Sequence, residues 1–299
     1  MTLGYIGVSG GVLPLWMADD GGIFAKNGLD VKPVTSSTSS AANISALMAN
    51  QMQIVWTDGT SAVNARANGG ELTVVATMHP AYGYLIMAAP DIKTPQDLKG
   101  KKMAVSSLTG TDAVASILAL SKLGLDWQKD VTLVATGDNA SRTAALIGGA
   151  VQATLQEPPG SLELEAKGFH SIADLTPMNL PSVNASIIFQ TGYLNSHHDE
   201  VQKVVDSLVE ANARIKKDRA YSIDLLKKYF KSNDDKTMGA VYDFYIPLTP
   251  TLPFPKTELF GPAIDQLAKQ NPKVKDVDLN KVIDASFVQS AADRHLDQG

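Results

Sequence analysis

The chain has 299 residues, 44% of them hydrophobic and 19% charged, and a length of this order is typical of roughly two globular domains. Its net charge of −5 and the lack of any cluster of lysine and arginine argue against a nucleic acid partner. It contains no cysteine, which excludes disulfides and thiolate chemistry, and no apolar run long enough to span a membrane.

Short β-rich runs alternate with helical patterns in the first part of the chain. Strands are predicted over 2–8, 29–34, 52–57 and 72–78, and helices over 13–28, 40–51 and 61–70. This alternation predicts a parallel α/β sheet. Open sheets of that kind bind ligands at the carboxyl ends of their strands, and polar residues follow each predicted strand here.

The same rhythm restarts near residue 93, where Thr94 and Pro95 suit the start of a one-turn helix before a strand at 102–105. Further strands are predicted at 131–136, 151–156 and 183–190, and helices after 105 and at 140–149 and 161–168. A helical tail follows, with an amphipathic helix at 199–218 and helical stretches at 222–230 and 257–270. The proline-rich segment 245–257 between the last two is predicted to be a loop.

Two stretches of the sequence echo each other. SALMANQMQIVWTD (45–58) aligns without gaps on AALIGGAVQATLQE (144–157), with an acid at the end of each. The elements around the two copies come in the same order, which indicates two similar lobes. Strand ends that face each other across two such lobes would form a cleft.

Hydroxyl and glycine residues follow the predicted strands at five places: 9–11, 36–40, 58–60, 106–112 and 139–141. Any one of these turns is most simply explained as a helix cap, because serine and threonine oxygens accept hydrogen bonds from the first backbone N–H groups of a helix. Recurrence on the same edge of two sheets favours a second interpretation, in which the turns form a polar rim around a ligand.

Several side chains near these turns are candidate ligand contacts, each with a structural alternative. Arg142 could clamp a carboxylate or sulfonate, or form a surface ion pair with the acid four residues earlier. Asp58 and Glu157 could accept hydrogen bonds from a ligand amine or hydroxyl, or from backbone N–H groups. Trp56 and Tyr82 could line a pocket or belong to the core.

Enzymatic and metal-binding signatures are missing from the sequence. It contains no GxGxxG or GxxxxGK[ST] motif, and although GVSGG at 7–11 fits the letters of GxSxG, no serine or threonine has an obvious His–Asp companion. His197 and His198 precede two acids, but adjacent histidines point in different directions at the start of a solvent-facing helix. We therefore expect neither a metal site nor a cofactor.

The opening GYIGVSGGVLPLWMADDGGIFAKNGLDVKPV joins a strand, a polar turn and a helix that ends in FAKNGLDV, and DLKGKKMAVSSLTGTDA, AALIGGAVQATLQEP and VIDASFVQSA follow later. Together these stretches resemble solute-binding proteins of the nitrate/sulfonate/taurine type over essentially the whole chain. The resemblance extends to enzymes that make the thiamine pyrimidine. Those enzymes look iron-dependent through a cysteine-rich motif, which this chain lacks.

The resemblance implies a type II periplasmic-binding-protein fold, in which two α/β lobes are joined by two crossover strands with a ligand cleft between them. Lobe I would comprise residues 1–88 and 189–299, and lobe II residues 89–188. Taken with the polar turns, the resemblance gives these expected ligand contacts: Ser9, Gly10, Gly11, Ser37, Thr38, Ser39, Trp56, Asp58, Gly59, Thr60, Tyr82, Thr109, Gly110, Thr111, Arg142 and Glu157.

The function implied is that of a non-catalytic receptor of an ABC importer, which closes its lobes over a small carboxylate or sulfonate and delivers it to the permease subunits. We expect a monomer, periplasmic or anchored at the cell surface, from which any signal peptide has been removed. Two alternatives stay open. The chain could be an enzyme with Asp58 or Glu157 as general base, or a binding protein associated with a sensor.

Overall fold

The computed structural model describes residues 1–35, 39–108 and 110–298. Its strands are β1 (Thr2–Tyr5), β2 (Lys32–Thr35), β3 (Ile54–Thr57), β4 (Leu72–Thr77), β5 (Leu85–Ala88), β6 (Lys101–Val105), β7 (Val131–Ala135), β8 (Ala153–Gln156), β9 (His170–Asp174) and β10 (Ser186–Gln190). Its α-helices are α1 (Leu13–Asp20), α2 (Ile23–Lys26), α3 (Ser40–Met48), α4 (Thr60–Ala67), α5 (Thr111–Lys122), α6 (Asn139–Ile147), α7 (Gly160–Glu165), α8 (Thr191–Ser196), α9 (His198–Lys217), α10 (Arg219–Phe230), α11 (Asp235–Tyr245), α12 (Gly261–Leu267) and α13 (Ser286–Asp293).

The chain divides into two compact units. The first unit consists of Met1–Pro80 and Pro181–Gly299, and the second of Ala81–Leu180. The chain therefore passes from one unit to the other at 80/81 and 180/181. Both positions come earlier than the boundaries at 88/89 and 188/189 that the resemblance implies. The pairing of the strands explains the difference, because all of β5 pairs within the second sheet and all of β10 within the first.

Each unit contains one five-stranded sheet with a single strand that runs against the others. The order is β2-β1-β3-β10-β4 in the first unit and β7-β6-β8-β5-β9 in the second. β10 pairs antiparallel with β3 and β4, and β5 pairs antiparallel with β8 and β9. The predicted α/β class is confirmed, whereas the prediction of a parallel sheet is wrong for β10, and the antiparallel strand β5 was not predicted as a strand. Each of these strands is the first one after the chain crosses from one unit to the other. No βα connection leads into it from a neighbouring strand of its sheet, and such a connection is what makes neighbouring strands parallel.

The loops after the parallel strands leave the same edge of each sheet, since the carboxyl ends of those strands lie together. The helices α1, α3 and α4 in the first unit, and α5 and α6 in the second, begin in these loops and run back toward the opposite edge. We call this edge of each sheet the carboxyl edge. The described residues of the predicted polar turns lie at this edge.

The helix α9 organises the helical side of the first unit. Its buried stripe contains Val201, Val204, Val205, Leu208, Val209, Asn212 and Ile215, as its amphipathic pattern predicts. It packs against α1 and α13. Asn212 Nδ2 donates to the carbonyl of Pro250 at 2.8 Å, so the buried amide also fastens the proline-rich loop. None of the helices in the described part of the chain has the length and apolar character of a membrane span.

An ion pair joins α9 to the C-terminal segment. The guanidinium of Arg294 donates to both carboxylate oxygens of Asp206, at 2.7 and 2.6 Å, and the Asp206 side chain is only 10% exposed. Such a bidentate pair is well oriented, and a partly buried carboxylate is costly to leave without its cation.

We predict that Arg294→Gln lowers the free energy of unfolding by about 2 kcal/mol, because Asp206 then stays buried without a cation. Arg219→Gln is the control, since Arg219 pairs with Asp243 where both side chains are more than half exposed, and it should cost under about 1 kcal/mol. Urea unfolding measures both. Equal losses for the two variants would contradict the prediction.

Candidate functional site

The turn after β1 is held by side chains of its own unit. Ser9 begins the 3₁₀ turn Gly10–Val12, where its Oγ accepts from the backbone N–H of Gly11 at 3.3 Å. The same oxygen lies 2.9 Å from the hydroxyl of Tyr245. Gly10 is buried, and a Cβ there would come within 2.6 Å of the Tyr245 ring and 2.5 Å of Val241. Glycine at position 10 is therefore required by packing against α11.

His79 lies behind the same turn, after β4. Its Nε2 is 2.8 Å from the carbonyl oxygen of Gly11 and its Nδ1 is 3.1 Å from that of Leu248. Burial lowers the pKa of His79, although the two backbone carbonyls act in the opposite direction. A neutral imidazole carries only one N–H, so only one of these two carbonyls can accept a hydrogen bond from it.

The turn after β3 is closed by Asp58. One carboxylate oxygen accepts both from the backbone N–H of Thr60 at 2.8 Å and from its hydroxyl at 2.6 Å. Gly59 is buried and donates to the carbonyl of Val183, and a Cβ at position 59 would come within 2.8 Å of Ser186 Oγ. The structural alternative for Asp58, an acceptor for the start of α4, is thus realised in this geometry.

Three hydroxyl side chains line up across the carboxyl edge of the first sheet. Ser186, at the start of β10, lies opposite Thr57 of β3 on one side and Thr77 of β4 on the other. Directly opposed residues point to the same face of a sheet. The hydroxyl oxygens of Thr57 and Thr77 are buried and have no hydrogen-bond partner among the described residues.

In the second unit, Asp112 closes the turn between β6 and α5. Its carboxylate accepts from the backbone N–H of Ser106 at 2.6 Å and from the Ser106 hydroxyl at 2.5 Å. A Cβ on Gly110 would lie 2.5 Å from Ser106 Oγ and 2.9 Å from Asp112 Oδ1. Glycine at position 110 therefore leaves room for this contact, and a carboxylate in the first turn suits the helix dipole.

Arg142 of α6 pairs with that same carboxylate. Its Nη1 lies 3.0 Å from Asp112 Oδ2, and the two side chains are only 11% and 7% exposed. The pair joins the first turns of α5 and α6, the helices that follow β6 and β7. Asp138, the partner considered from the sequence, instead caps α6 by accepting from the N–H of Ser141 at 2.9 Å, a hydrogen bond that lowers the pKa of Asp138. Arg142 Nε is buried without a partner among the described residues.

Gln156, which ends β8, is a buried polar residue of the carboxyl edge that the sequence reasoning missed. Its Nε2 donates to Asn139 Oδ1 at 2.6 Å and to Thr143 Oγ1 at 2.7 Å, so it holds the first turn of α6. Its Oε1 is buried, has no partner within the described ranges, and would meet a Cβ on Gly160 at 2.9 Å. The hydroxyl of Ser161 next to Gly160 is also buried without a described partner.

Thr57 and Gln156 occupy matching positions in the two units. The ungapped alignment of 45–58 with 144–157 pairs Thr57 with Gln156. Each comes just before an acid, Asp58 or Glu157. Both end a strand that borders the antiparallel strand of its sheet, and both present a buried oxygen without a described partner. The repeat therefore extends from the sequence to the chemistry of the strand ends, a signal that only the alignment could have given.

The remaining predicted site residues divide into three groups. Ser39 caps α3 by accepting from the N–H of Ala42 at 3.3 Å, and Thr111 and Glu157 lie partly buried at the carboxyl edge of the second sheet. Trp56 is 5% exposed inside β3, and Tyr82 is 2% exposed. The predicted residues Ser37, Thr38 and Thr109 lie outside the described residues.

The titratable groups of the described ranges give no metal centre, because no three of their histidine, aspartate or glutamate side chains are grouped as metal ligands. The carboxyl edges are instead built from hydroxyls, amides and carboxylates that already hold the starts of helices. Hydroxyls and amides can both donate and accept hydrogen bonds, so such edges suit recognition of a polar group on a small molecule.

Residues 10–218 match the model of the NMT1/THI5-like family, and this range covers more than half of the chain. The chain belongs to the NMT1/THI5-like family. Among curated proteins, none matches the sequence significantly.

Solved structures share the fold of this family member at low sequence identity. The periplasmic aliphatic sulphonate binding protein SsuA of Escherichia coli is 23% identical with a TM-score of 0.75, over 95% of this chain and 91% of that one. A protein of Methylobacillus flagellatus KT, described as the periplasmic sulfonate-binding protein SsuA of a sulfonate ABC transporter, is 14% identical with a TM-score of 0.78, over 100% and 95%. The desulfurization enzyme DSZB is 16% identical with a TM-score of 0.69, over 98% and 99%. One fold therefore hosts both binding proteins and an enzyme.

We predict that Arg142→Gln lowers the free energy of unfolding by about 3 kcal/mol, because it leaves the buried Asp112 carboxylate without its cation. Lys129→Gln is the control in the same unit, since Lys129 pairs with Asp126 at the surface and should cost under about 1 kcal/mol. Chemical denaturation measures both. Arg142 would be a free surface cation, contrary to this account, if its loss cost no more than that of Lys129.

A pH dependence follows from His79. Because its pKa is lower in the folded protein than the ordinary 6.5, the unfolded state binds more protons below that pH. The stability from neutral His79 should therefore be present above about pH 6.5 and be lost as the pH falls toward the folded pKa. Urea unfolding at pH 7 and pH 5 should show a smaller loss for His79→Gln than for the unsubstituted chain. The exposed His198→Gln should keep the full loss, and an unchanged loss in His79→Gln would refute the assignment.

Proposed function

We propose that the protein is an extracytoplasmic solute-binding receptor that captures a small organic molecule and passes it, chemically unchanged, to an ABC permease. The observation that carries the proposal is the pair of matching carboxyl edges, each with a buried oxygen left unpartnered by the described residues at the end of a strand, Thr57 Oγ1 and Gln156 Oε1. Buried polar atoms are normally hydrogen-bonded, so such atoms at strand ends favour a bound polar group.

The comparisons support the same proposal. Two of the proteins with this fold are described as periplasmic sulfonate-binding proteins, one of them as part of an ABC transporter. Carried over to this chain, that role supports a location outside the cytoplasm and a permease as partner. Closure of two lobes over the ligand and a monomeric state stay predictions from the resemblance.

An organic carboxylate or sulfonate is the ligand class we propose. Arg142 Nε still offers a donor, but Asp112 already neutralises the guanidinium, which disfavours a compact, multiply charged inorganic anion. Two apolar side chains flank the polar turns, since Val8 is 47% exposed after β1 and Leu108 is 57% exposed after β6. Exposed apolar residues beside polar turns suit a ligand with both an acidic head and an apolar body.

An enzyme is the second candidate, because DSZB has the same fold. In this chain, however, one carboxylate oxygen of Asp58 already accepts two hydrogen bonds from Thr60, and a thiol nucleophile is excluded because the sequence has no cysteine. These two observations favour binding over catalysis. The two candidates differ in turnover, since a receptor returns its ligand with an unchanged mass.

Thr57→Val tests the proposed site. The variant removes a buried hydroxyl that has no described partner, so stability should hold or rise slightly, whereas the Kd for a bound ligand should rise about fivefold or more. Calorimetric titration with linear alkanesulfonates and alkanecarboxylates of one to eight carbons provides the readout.

Thr73→Val is the matched control. The Thr73 hydroxyl is 2.9 Å from that of Thr191, near the amino end of β4. Its loss should lower stability by about 1 kcal/mol and leave the Kd unchanged. Loss of affinity in Thr73→Val but not in Thr57→Val would contradict the proposed site, and conversion of the titrant would contradict the receptor.

A further inference from the structure

A cavity lies within the first unit, away from the carboxyl edge. It has a volume of about 470 Å³ and is bordered by the backbone at Gly21 and Gly22, by the last turns of α9 and by the C-terminal residues His295 and Leu296. Because α1 starts after the carboxyl end of β1 and runs back along the sheet, its end at Gly21 lies toward the opposite edge. The cavity is therefore distinct from the site proposed above.

The side chains that line this cavity are mainly basic. Lys26, Arg214 and Lys217 line it together with one carboxylate, Glu210, so the charges of the lining side chains sum to +2 in a chain whose net charge is −5. Glu210 is already satisfied by Lys26 Nζ at 2.6 Å and by Asn27 Nδ2 at 3.2 Å. The local charge is thus opposite to that of the whole molecule, and it favours an anion.

Arg214 is held in a fixed orientation at the cavity wall. Its Nη1 donates to the carbonyl of Gly21 at 3.0 Å, and its guanidinium lies over the ring of Tyr221, 4.7 Å from the centroid. A Cβ on Gly21 would come within 3.0 Å of Nη1, so glycine leaves space for the contact. Asp218, which does not line the cavity, is 3.8 Å from Nη2. A planar guanidinium fixed in advance loses little conformational entropy when it binds an oxyanion.

Lys217 lies on the same end of α9 and its ammonium donates to the carbonyl of Gln298. That bond places a second cation beside the cavity. Ile23 and Leu296 add apolar surface to the lining. A guanidinium fork, an ammonium and an apolar wall in a volume of this order suit a small organic anion with a tetrahedral oxyanion head.

We propose that this cavity binds a phosphate monoester, with the phosphate on Arg214 and Lys217 and the organic part on Ile23 and Leu296. The monoester could be a soluble metabolite or the headgroup of a phosphatidic acid. Both present the same dianionic phosphate, and the experiment separates them. The site is independent of the solute-binding role, because it shares no residue with either carboxyl edge.

Phenyl phosphate is the soluble probe, inorganic phosphate its comparison, and vesicles of phosphatidylcholine with or without phosphatidic acid form the lipid arm. Calorimetry should show phenyl phosphate binding more tightly than inorganic phosphate. Lys217→Gln and Arg214→Lys should each raise the Kd by about tenfold, because each removes a charge-assisted contact or the guanidinium fork. Arg214→Lys keeps the charge and so reports the fork alone.

Lys216→Gln is the matched control, since it removes the same charge one residue away, where Nζ donates to Thr251 Oγ1. It should change the Kd by less than about twofold. Binding to vesicles alone, with the same dependence on Lys217, would identify the lipid headgroup as the source. The proposal is overturned if neither the soluble probe nor the vesicles bind, or if Lys216→Gln weakens binding as much as Lys217→Gln. A melting temperature for each variant confirms that it is folded.

Discussion

Parallel strand pairing is the constraint on which the rest of the structure depends. Four of the five strands in each sheet run in the same direction, so their carboxyl ends, and the loops that leave them, collect along one edge. A loop at that edge must satisfy the first N–H groups of the helix that follows it. The need to cap helices therefore brings hydroxyls and carboxylates together before any ligand is considered.

Many of these hydroxyls and carboxylates already have hydrogen-bond partners within the chain. Asp58, Asp138 and Asp112 accept hydrogen bonds from the backbone N–H groups of Thr60, Ser141 and Ser106, respectively. Asp112 also forms an ion pair with Arg142. Capping and ligand recognition are not exclusive, because a fixed cap also fixes the groups beside it. The Asp112–Arg142 pair illustrates this, since it neutralises the guanidinium and at the same time orients its remaining N–H groups. The groups left over, at the ends of β3, β4 and β8, are those that a ligand can use.

The sequence predicts the order of the strands and helices better than the direction in which each strand runs. Strands β1, β3 and β4 follow directly from their apolar residues, which are almost all buried, and the long helix α9 follows from its apolar stripe. β9 was missed because HSIAD is only partly buried and shows no apolar alternation. The antiparallel direction of β5 and β10 depends on pairing partners distant in the chain, which a local pattern does not contain.

In the candidate site too, features set by neighbouring residues were predicted, whereas contacts between residues distant in the chain were not. The turns with caps at Ser9, Ser39 and Asp58 are visible as short motifs. The partner of Arg142 lies thirty residues earlier in the chain, on a different helix, so local spacing favoured Asp138 instead. Gln156 was overlooked because a glutamine at the end of a strand has no motif of its own. Its only signal in the sequence is its alignment with Thr57, and in the structure its hydrogen bonds to Asn139 and Thr143 identify it.

The central claim is that the protein binds a small organic molecule and releases it unchanged. Native mass spectrometry of the purified protein, followed by denaturation and reincubation of any released compound with fresh protein, tests this most directly. A receptor should carry one small molecule per chain, and that molecule should have an identical mass after reincubation. A compound that fresh protein converts to a product, in amounts exceeding the protein, would contradict the receptor and establish an enzyme.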